Sequence, residues 1–182
     1  MKVQTNEQAR DFNTQDVFGN KVSLNEFLEQ KIHLTFYRFS GCPNCNLRLH
    51  NIERLSDLYK ENHVISIAVF ESSPKNMKDQ MTGYSFYSIM IPDVDGHLYK
   101  LYNLDRSKLS LLYYLFFKGG ISELIEGKKL FKEKVESDGH TDRLEAEFLI
   151  NESGKVVLAH YCERQGDFIE VQKIISFIKT GN

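Results

Sequence analysis

The sequence predicts an α/β protein built on a mixed central sheet flanked by helices. Three observations carry this. Two apolar runs, "HLTFYRF" and "VISIAVF", are separated by a stretch long enough for a crossover helix. "EFLINESGKVVLAHY" alternates in polarity around a Ser153-Gly154 turn and reads as a two-stranded hairpin. The chain then closes on an amphipathic segment, Asp167 to Lys179, with Phe168, Val171, Ile174, Ile175 and Ile178 on one side. The order β-α-β-α-β followed by β-β-α belongs to a mixed sheet with helices packed against it.

Each element has a local reason. "DFNTQDVFGNKVSL" predicts a small N-terminal hairpin, with Gly19-Asn20 supplying the turn. Ser23 is placed to cap a short helix, "LNEFLEQ". His33 to Phe39 forms a buried strand, and Pro43 to Lys60 a helix on which Leu47, Ile52, Leu55 and Leu58 recur at near-helical spacing. Val64 to Phe70 is apolar throughout, as in a central parallel strand. Pro74 opens a two-turn helix, because proline at the first helical position sacrifices no hydrogen bond. "YSIMIPDVDGHLYKLYNL" gives a short strand stopped by Pro92, a turn at Asp95-Gly96 and a short helix. Residues from about 105 to 143 are surplus to this scheme and read as a helical insertion before the final hairpin, broken at Gly119-Gly120.

The totals set bounds. A chain of 182 residues, 41% hydrophobic and 26% charged, fits one soluble domain spanning 1–182. A net charge of -2 leaves no basic excess for displacing phosphate counterions, which argues against nucleic acid. The N-terminus lacks the apolar core of a signal peptide, and "LSLLYYLFF" is about half the length that crosses a bilayer. Three cysteines without an export signal suit the reducing cytoplasm, where a disulfide is more often catalytic than structural.

The chemistry concentrates in "SGCPNC". Cys42 and Cys45 fall on the seam between a strand and a helix, where unpaired N–H groups and the helix dipole stabilise a thiolate. Such positions lower a thiol pKa from about 8.5 to roughly 3.5–7.5. Cys42 is then the attacking thiol, and Cys45, one turn on, resolves by closing an intramolecular disulfide. Two other readings compete. A zinc site would need a second ligand pair, and the candidates, His160 and Cys162, are too close in sequence for the usual knuckle spacing. The motif could also be inert, on a binding module.

"DFNTQDVFGNKVSLNEFLEQKIHLTFYRFSGCPNCNLRLHNIERL" resembles the N-terminal half of peroxiredoxin-like proteins of the AhpC/TSA superfamily. In that group a "FYR…CPxC" segment stands where other peroxiredoxins carry their peroxidase motif. The resemblance continues through "IPDVDGHLYKLYNL" and "EFLINESGKVVLAHYCERQGDF". It implies a thioredoxin fold and cysteine-based antioxidant activity, and it carries over to Cys42, Cys45, Tyr37 and Arg38. Two departures stand out. Peroxiredoxins place Thr or Ser three residues before the attacking cysteine, and Phe39 is there instead, with Ser40 one residue nearer. Thioredoxins place a cis-proline before the strand facing the motif, where this chain has Glu145 or Ala146.

The remaining candidates divide between site and scaffold. Arg38 either holds Cys42 as a thiolate or extends into solvent. Arg143 could bind an oxyanion or the thiolate, with solvation as the plainer reading. Glu145, if beside Cys42, would raise its pKa. Cys162 and His160 read as strand residues in structural places, and His50 as surface. Leu109 to Phe117 is apolar nearly all round, as in a homodimer contact or a lid. The expected protein is a cytoplasmic thiol-dependent oxidoreductase that reduces peroxides or disulfides. Thioredoxin or a low-molecular-weight thiol would restore it, and no metal or organic cofactor is needed. The alternative is a non-enzymatic thioredoxin-fold binding module that holds a partner through the insertion.

Overall fold

In the computed structural model the described residues are 1–108 and 138–181. The expected homodimer contact and the body of the insertion fall outside them. The N-terminal hairpin is β1 (Asn13–Gln15) and β2 (Lys21–Ser23), antiparallel, with Gly19 at φ 92° in the turn. A 3-10 turn, Leu24–Phe27, follows. Ser23 occupies the cap position but makes no capping bond. Asp11 serves instead, its carboxylate accepting from the Asn25 N–H and side-chain amide.

The main sheet contains β3 (Lys31–Phe36), β4 (Val64–Phe70), β5 (Ile89–Pro92), β6 (Ala146–Ile150) and β7 (Val156–Tyr161), in the order β5-β4-β3-β6-β7. β3, β4 and β5 run parallel, and β6 and β7 antiparallel to their neighbours. The mixed sheet expected from the sequence is therefore present, with β3 and β4 central as their continuous apolar character requires. Ile32, Leu34, Phe36, Ile67, Val69, Phe148 and Ile150 form the core on one face, sealed by Tyr99 and Tyr102. On the opposite face Ile52, Tyr59, Leu149, Ile174, Phe177 and Ile178 pack together.

The helices are α1 (Pro43–Glu53), α2 (Ser56–Glu61), α3 (Pro74–Met81), α4 (His97–Leu101) and α5 (Val171–Thr180). The single helix expected over Pro43 to Lys60 is thus divided at Arg54-Leu55. Both sides of the break are tied down: the Glu53 carboxylate accepts from the Tyr87 and Ser88 N–H groups, and the Tyr59 hydroxyl meets buried His33 Nδ1 at 2.6 Å. The closing helix starts at Val171 rather than Asp167, because residues 163–170 make side-chain and backbone bonds of their own. His160 and Cys162 both reach the Asp167 carbonyl, and Glu147 accepts the Ile169 N–H at 2.7 Å.

One buried ionic group joins these layers. Arg48 forks onto both Glu147 oxygens at 2.8–2.9 Å and also donates to the Ile169 carbonyl. His33 Nε2 lies 3.7 Å from the same carboxylate. Both carboxylate oxygens are occupied, the arrangement a buried charge needs. Burial pushes the Glu147 pKa up, but Arg48 and His33 outweigh it and hold the group below the ordinary carboxylate range.

Candidate active site

The site forms where β3 ends and α1 begins. Cys42 is the N-cap residue of α1, in extended backbone, with Pro43 at the first helical position. Its sulfur takes the place of a capping oxygen, accepting the Cys45 N–H at 3.3 Å. The sequence places Cys42 at a helix N-terminus, and the structure has it there, in a position where a backbone N–H favours negative charge on the sulfur.

Arg38 supplies the opposing charge. Its Nη2 donates to Cys42 Sγ at 3.0 Å and its Nη1 to the Thr141 carbonyl at 3.0 Å. Its Nε lies 3.1 Å from Glu145 Oε1, close enough for ion pairing but without hydrogen-bond alignment. The side chain is 5% exposed, so the solvated alternative for Arg38 is wrong. Burial works against its charge, yet Cys42, Cys45 and Glu145 together hold it more firmly protonated than an ordinary arginine.

These contacts set the two thiols far apart in acidity. Burial alone would push Cys42 up. The Cys45 thiol, the Arg38 guanidinium and the Cys45 and Asn44 N–H groups all favour the thiolate and bring it to about 6. Cys45 moves the other way: burial, the Cys42 thiolate beside it and the Glu145 carboxylate raise its pKa well above that of a free thiol, with Arg38 opposing. The same surroundings thus favour the thiolate at Cys42 and the thiol at Cys45. Neither has solvent-exposed surface.

Glu145 faces Cys45 rather than acting on Cys42 alone. Its Oε1 lies 3.9 Å from Cys45 Sγ, while Oε2 is buried without a hydrogen-bond partner. Burial raises its pKa, Arg38 lowers it and Cys42 raises it, leaving it at about 7. The residues before β6 reach the site from the other side as well. Gly139 lies so close to Glu71 that an added Cβ would sit 2.3 Å from the Glu71 carbonyl oxygen. Asp138 accepts from the Ser72 hydroxyl and the Ser73 N–H.

The other candidates lie elsewhere. Arg143 pairs with Glu71 at 2.5 Å, alongside His140 at 2.7 Å, which corrects both readings made for it: it is neither on the sulfurs nor merely solvated. Tyr37 is fully buried and stacks on Phe70, a packing role. The Ser40 hydroxyl is buried and has no hydrogen-bond partner among the described residues. Phe39 stands three residues before Cys42, where the resemblance to peroxiredoxins calls for a hydroxyl, and is buried. Ala146 begins β6 with no cis peptide bond before it among the described residues. Cys162 donates to the Asp167 carbonyl at 3.0 Å, and burial with three nearby carboxylates raises its pKa well above the free value. His160 meets the same carbonyl, so both potential zinc ligands are turned to one loop. His50 is exposed. Among the described residues no three His, Cys, Asp or Glu side chains are grouped as metal ligands, and no helix is long and apolar enough to cross a membrane.

Comparison with known proteins bears on the whole chain. A Helicobacter pylori protein named "Putative peroxiredoxin bcp" is 24% identical over 104 residues, covering 56% of this chain and 68% of the relative. The crystal structure of the peroxidoxin BcpB of Mycobacterium tuberculosis superposes with a TM-score of 0.71 at 14% identity, covering 99% of each chain. The exposed lipoprotein thioredoxin Etrx1 of Streptococcus pneumoniae superposes at 0.58 and 18% identity, covering 93% of this chain and 98% of its own. These structural likenesses establish the thioredoxin fold. The sequence pattern of the AhpC/TSA family matches residues 5–159, which spans the hairpin, the cysteine motif and most of the sheet, and the chain belongs to the AhpC/TSA family.

Proposed function

We propose that this protein is a thiol-dependent antioxidant oxidoreductase in which Cys42 attacks and Cys45 resolves. The observation that carries the reading is the Arg38 guanidinium at 3.0 Å from Cys42 Sγ, in a helix cap where a backbone N–H also points at the sulfur. The Cys42 thiolate attacks the terminal oxygen of a hydroperoxide, the O–O bond breaks, Cys42 becomes a sulfenic acid, and the departing hydroxide or alkoxide takes up a proton from water. Cys45 then attacks the Cys42 sulfur, forming the disulfide and releasing water. With a disulfide substrate, Cys42 forms a mixed disulfide and Cys45 displaces the second thiol. Thioredoxin or a low-molecular-weight thiol returns the pair to the dithiol, and the cytoplasm is a setting reducing enough to sustain this. The machinery lies in one domain spanning the chain.

Peroxide and disulfide remain the two substrate classes because each standard arrangement lacks a part. Phe39 offers no hydroxyl to orient a peroxide, and no cis-proline shapes a groove for a peptide backbone. The test is turnover of hydrogen peroxide, an alkyl hydroperoxide and oxidised glutathione by the protein and two variants. Cys42→Ser should abolish consumption of all three, and Cys45→Ser should trap a sulfenic acid or mixed disulfide on Cys42. Full activity in both variants would leave the fold as a binding module.

A further inference from the structure

We propose that Glu145 is a catalytic residue of the resolving step, accepting the Cys45 thiol proton as the Cys42–Cys45 disulfide closes and passing it to the departing hydroxide or thiolate. This rests on the dithiol reading above and adds the group that makes its second half feasible.

The need for such a group follows from the geometry. Cys45 is completely buried, and every charge it meets except Arg38 disfavours its thiolate. A thiol in that setting cannot lose its proton to water and must pass it to a neighbour. Glu145 Oε1, 3.9 Å from Cys45 Sγ, is within the reach of a sulfur donor. Among the described residues, the titratable and charged groups facing Glu145 are Arg38 from the end of β3, Cys42 and Cys45 from the start of α1, and Cys162 from the end of β7. Arg38 keeps its proton, Cys42 is spent in the first step, and the Cys162 thiol is itself held protonated. The buried histidine is engaged elsewhere: His33 bonds Tyr59 and Thr35. His140 bonds Glu71 and His160 the Asp167 carbonyl.

Glu145 is suited to holding a proton in transit. Its Oε2 is buried and without a partner. Oxidation of Cys42 removes the anion that Arg38 had shared between sulfur and carboxylate. The guanidinium then stabilises Glu145 more fully, as a carboxylate ready to accept. In the peroxide reaction the S–H bond of Cys45 breaks toward Glu145, and the Cys45 sulfur attacks Cys42. The S–S bond forms, the S–O bond breaks, and the departing hydroxide takes up the proton to leave as water. No further oxidant is required, because the peroxide has already withdrawn the two electrons.

The decisive variant is Glu145→Gln, which keeps the shape and removes the base. A purely electrostatic role gives the opposite sign: without the nearby negative charge, Cys45 becomes more acidic and closure speeds up or stays the same. The base role predicts that closure at pH 7 slows by about 10²-fold. Formation of the Cys42 sulfenic acid, or of its mixed disulfide with oxidised glutathione, should stay within about threefold, since Cys42 is already ionised. Rapid-quench trapping with dimedone after peroxide, and release of the second glutathione after the mixed disulfide forms, separate the two steps. Closure that is unchanged or faster in Glu145→Gln overturns the proposal. Absence of the first step in unsubstituted protein, with peroxide and oxidised glutathione alike, would instead bring down the dithiol reading and this one with it. Should Glu145→Gln fail to fold, infrared difference spectra of the unsubstituted protein decide the matter. A protonated-carboxyl band appearing during closure supports the proposal, and its absence overturns it.

Discussion

Replacing Arg38 by methionine removes the one cation that the described residues place at the two sulfurs, while keeping a side chain of similar length. A hydrogen bond to a charged group contributes roughly 1.5–3 kcal/mol. At about 1.4 kcal/mol per pKa unit, its loss moves Cys42 by about one to two units, from about 6 to about 7–8. The lower end is expected. Glu145 loses its cation at the same moment and will take up a proton, which removes a negative charge from beside the thiolate. The helix cap, with its Cys45 N–H at 3.3 Å, stays in place. At pH 7 the thiolate fraction should therefore fall about two- to tenfold. The assay is the rate of iodoacetamide modification of Cys42 across pH, with peptide mass analysis assigning the site. Cys45 and Cys162, both held well above the free value, do not interfere in this range. Arg38→Lys should recover part of the effect, because an ammonium cannot span sulfur, carboxylate and the Thr141 carbonyl together. A titration midpoint that stays at about 6 in Arg38→Met would mean that the cap alone holds the thiolate, and the role given to Arg38 would be wrong.

Three further outcomes follow from the surroundings of the site. Arg48→Met should cost about 3–5 kcal/mol in denaturant unfolding because it strands the buried Glu147 carboxylate, and the double variant Arg48→Met/Glu147→Leu should recover much of that. Glu71 is held below the ordinary carboxylate range: burial raises it, but Arg143 and His140 outweigh this. Its contribution is therefore present above the unfolded carboxyl pKa and disappears as pH falls through the lower folded value. Glu71→Gln should lower stability by about 2 kcal/mol at pH 7, with the gap to unsubstituted protein closing in melts taken in acid. Cys162→Ala should leave both steps of thiol chemistry unchanged in the same trapping assays, while removing one partly buried hydrogen bond to the Asp167 carbonyl.

How far the sequence went depended on how local each determinant was. Val64–Phe70 was legible to the residue because a continuous apolar run needs no context to read as a central strand. Cys42 and Cys45 were legible because motif, proline and strand-helix seam lie within a few residues. Arg38 was visible as a candidate, but its alternatives differ only in burial, which depends on the strap at Thr141, 103 residues away. Arg48 falls between the apolar positions Leu47 and Ile52, where periodicity alone assigns it to the polar side of its helix. Its partner, Glu147, is 99 residues distant, and periodicity carries no information about such pairs. The helix break at Arg54-Leu55 was hidden for the same reason, since Tyr87, Ser88 and His33 fix its flanks from other elements. Glu145 was placed near the cysteines by analogy of position. That it meets Cys45, and so acts on the second thiol, emerged only from the packing of β6 against β3.

The central claim is that Cys42 and Cys45 form one redox pair. It is tested most directly by treating reduced protein with a stoichiometric amount of peroxide, or of oxidised glutathione, and mapping the sulfur linkages by mass spectrometry. The account predicts a single intramolecular disulfide between Cys42 and Cys45, reversed by a thiol reductant, with Cys162 left as a free thiol. Failure of either oxidant to produce that linkage, or a disulfide formed through Cys162, would contradict it.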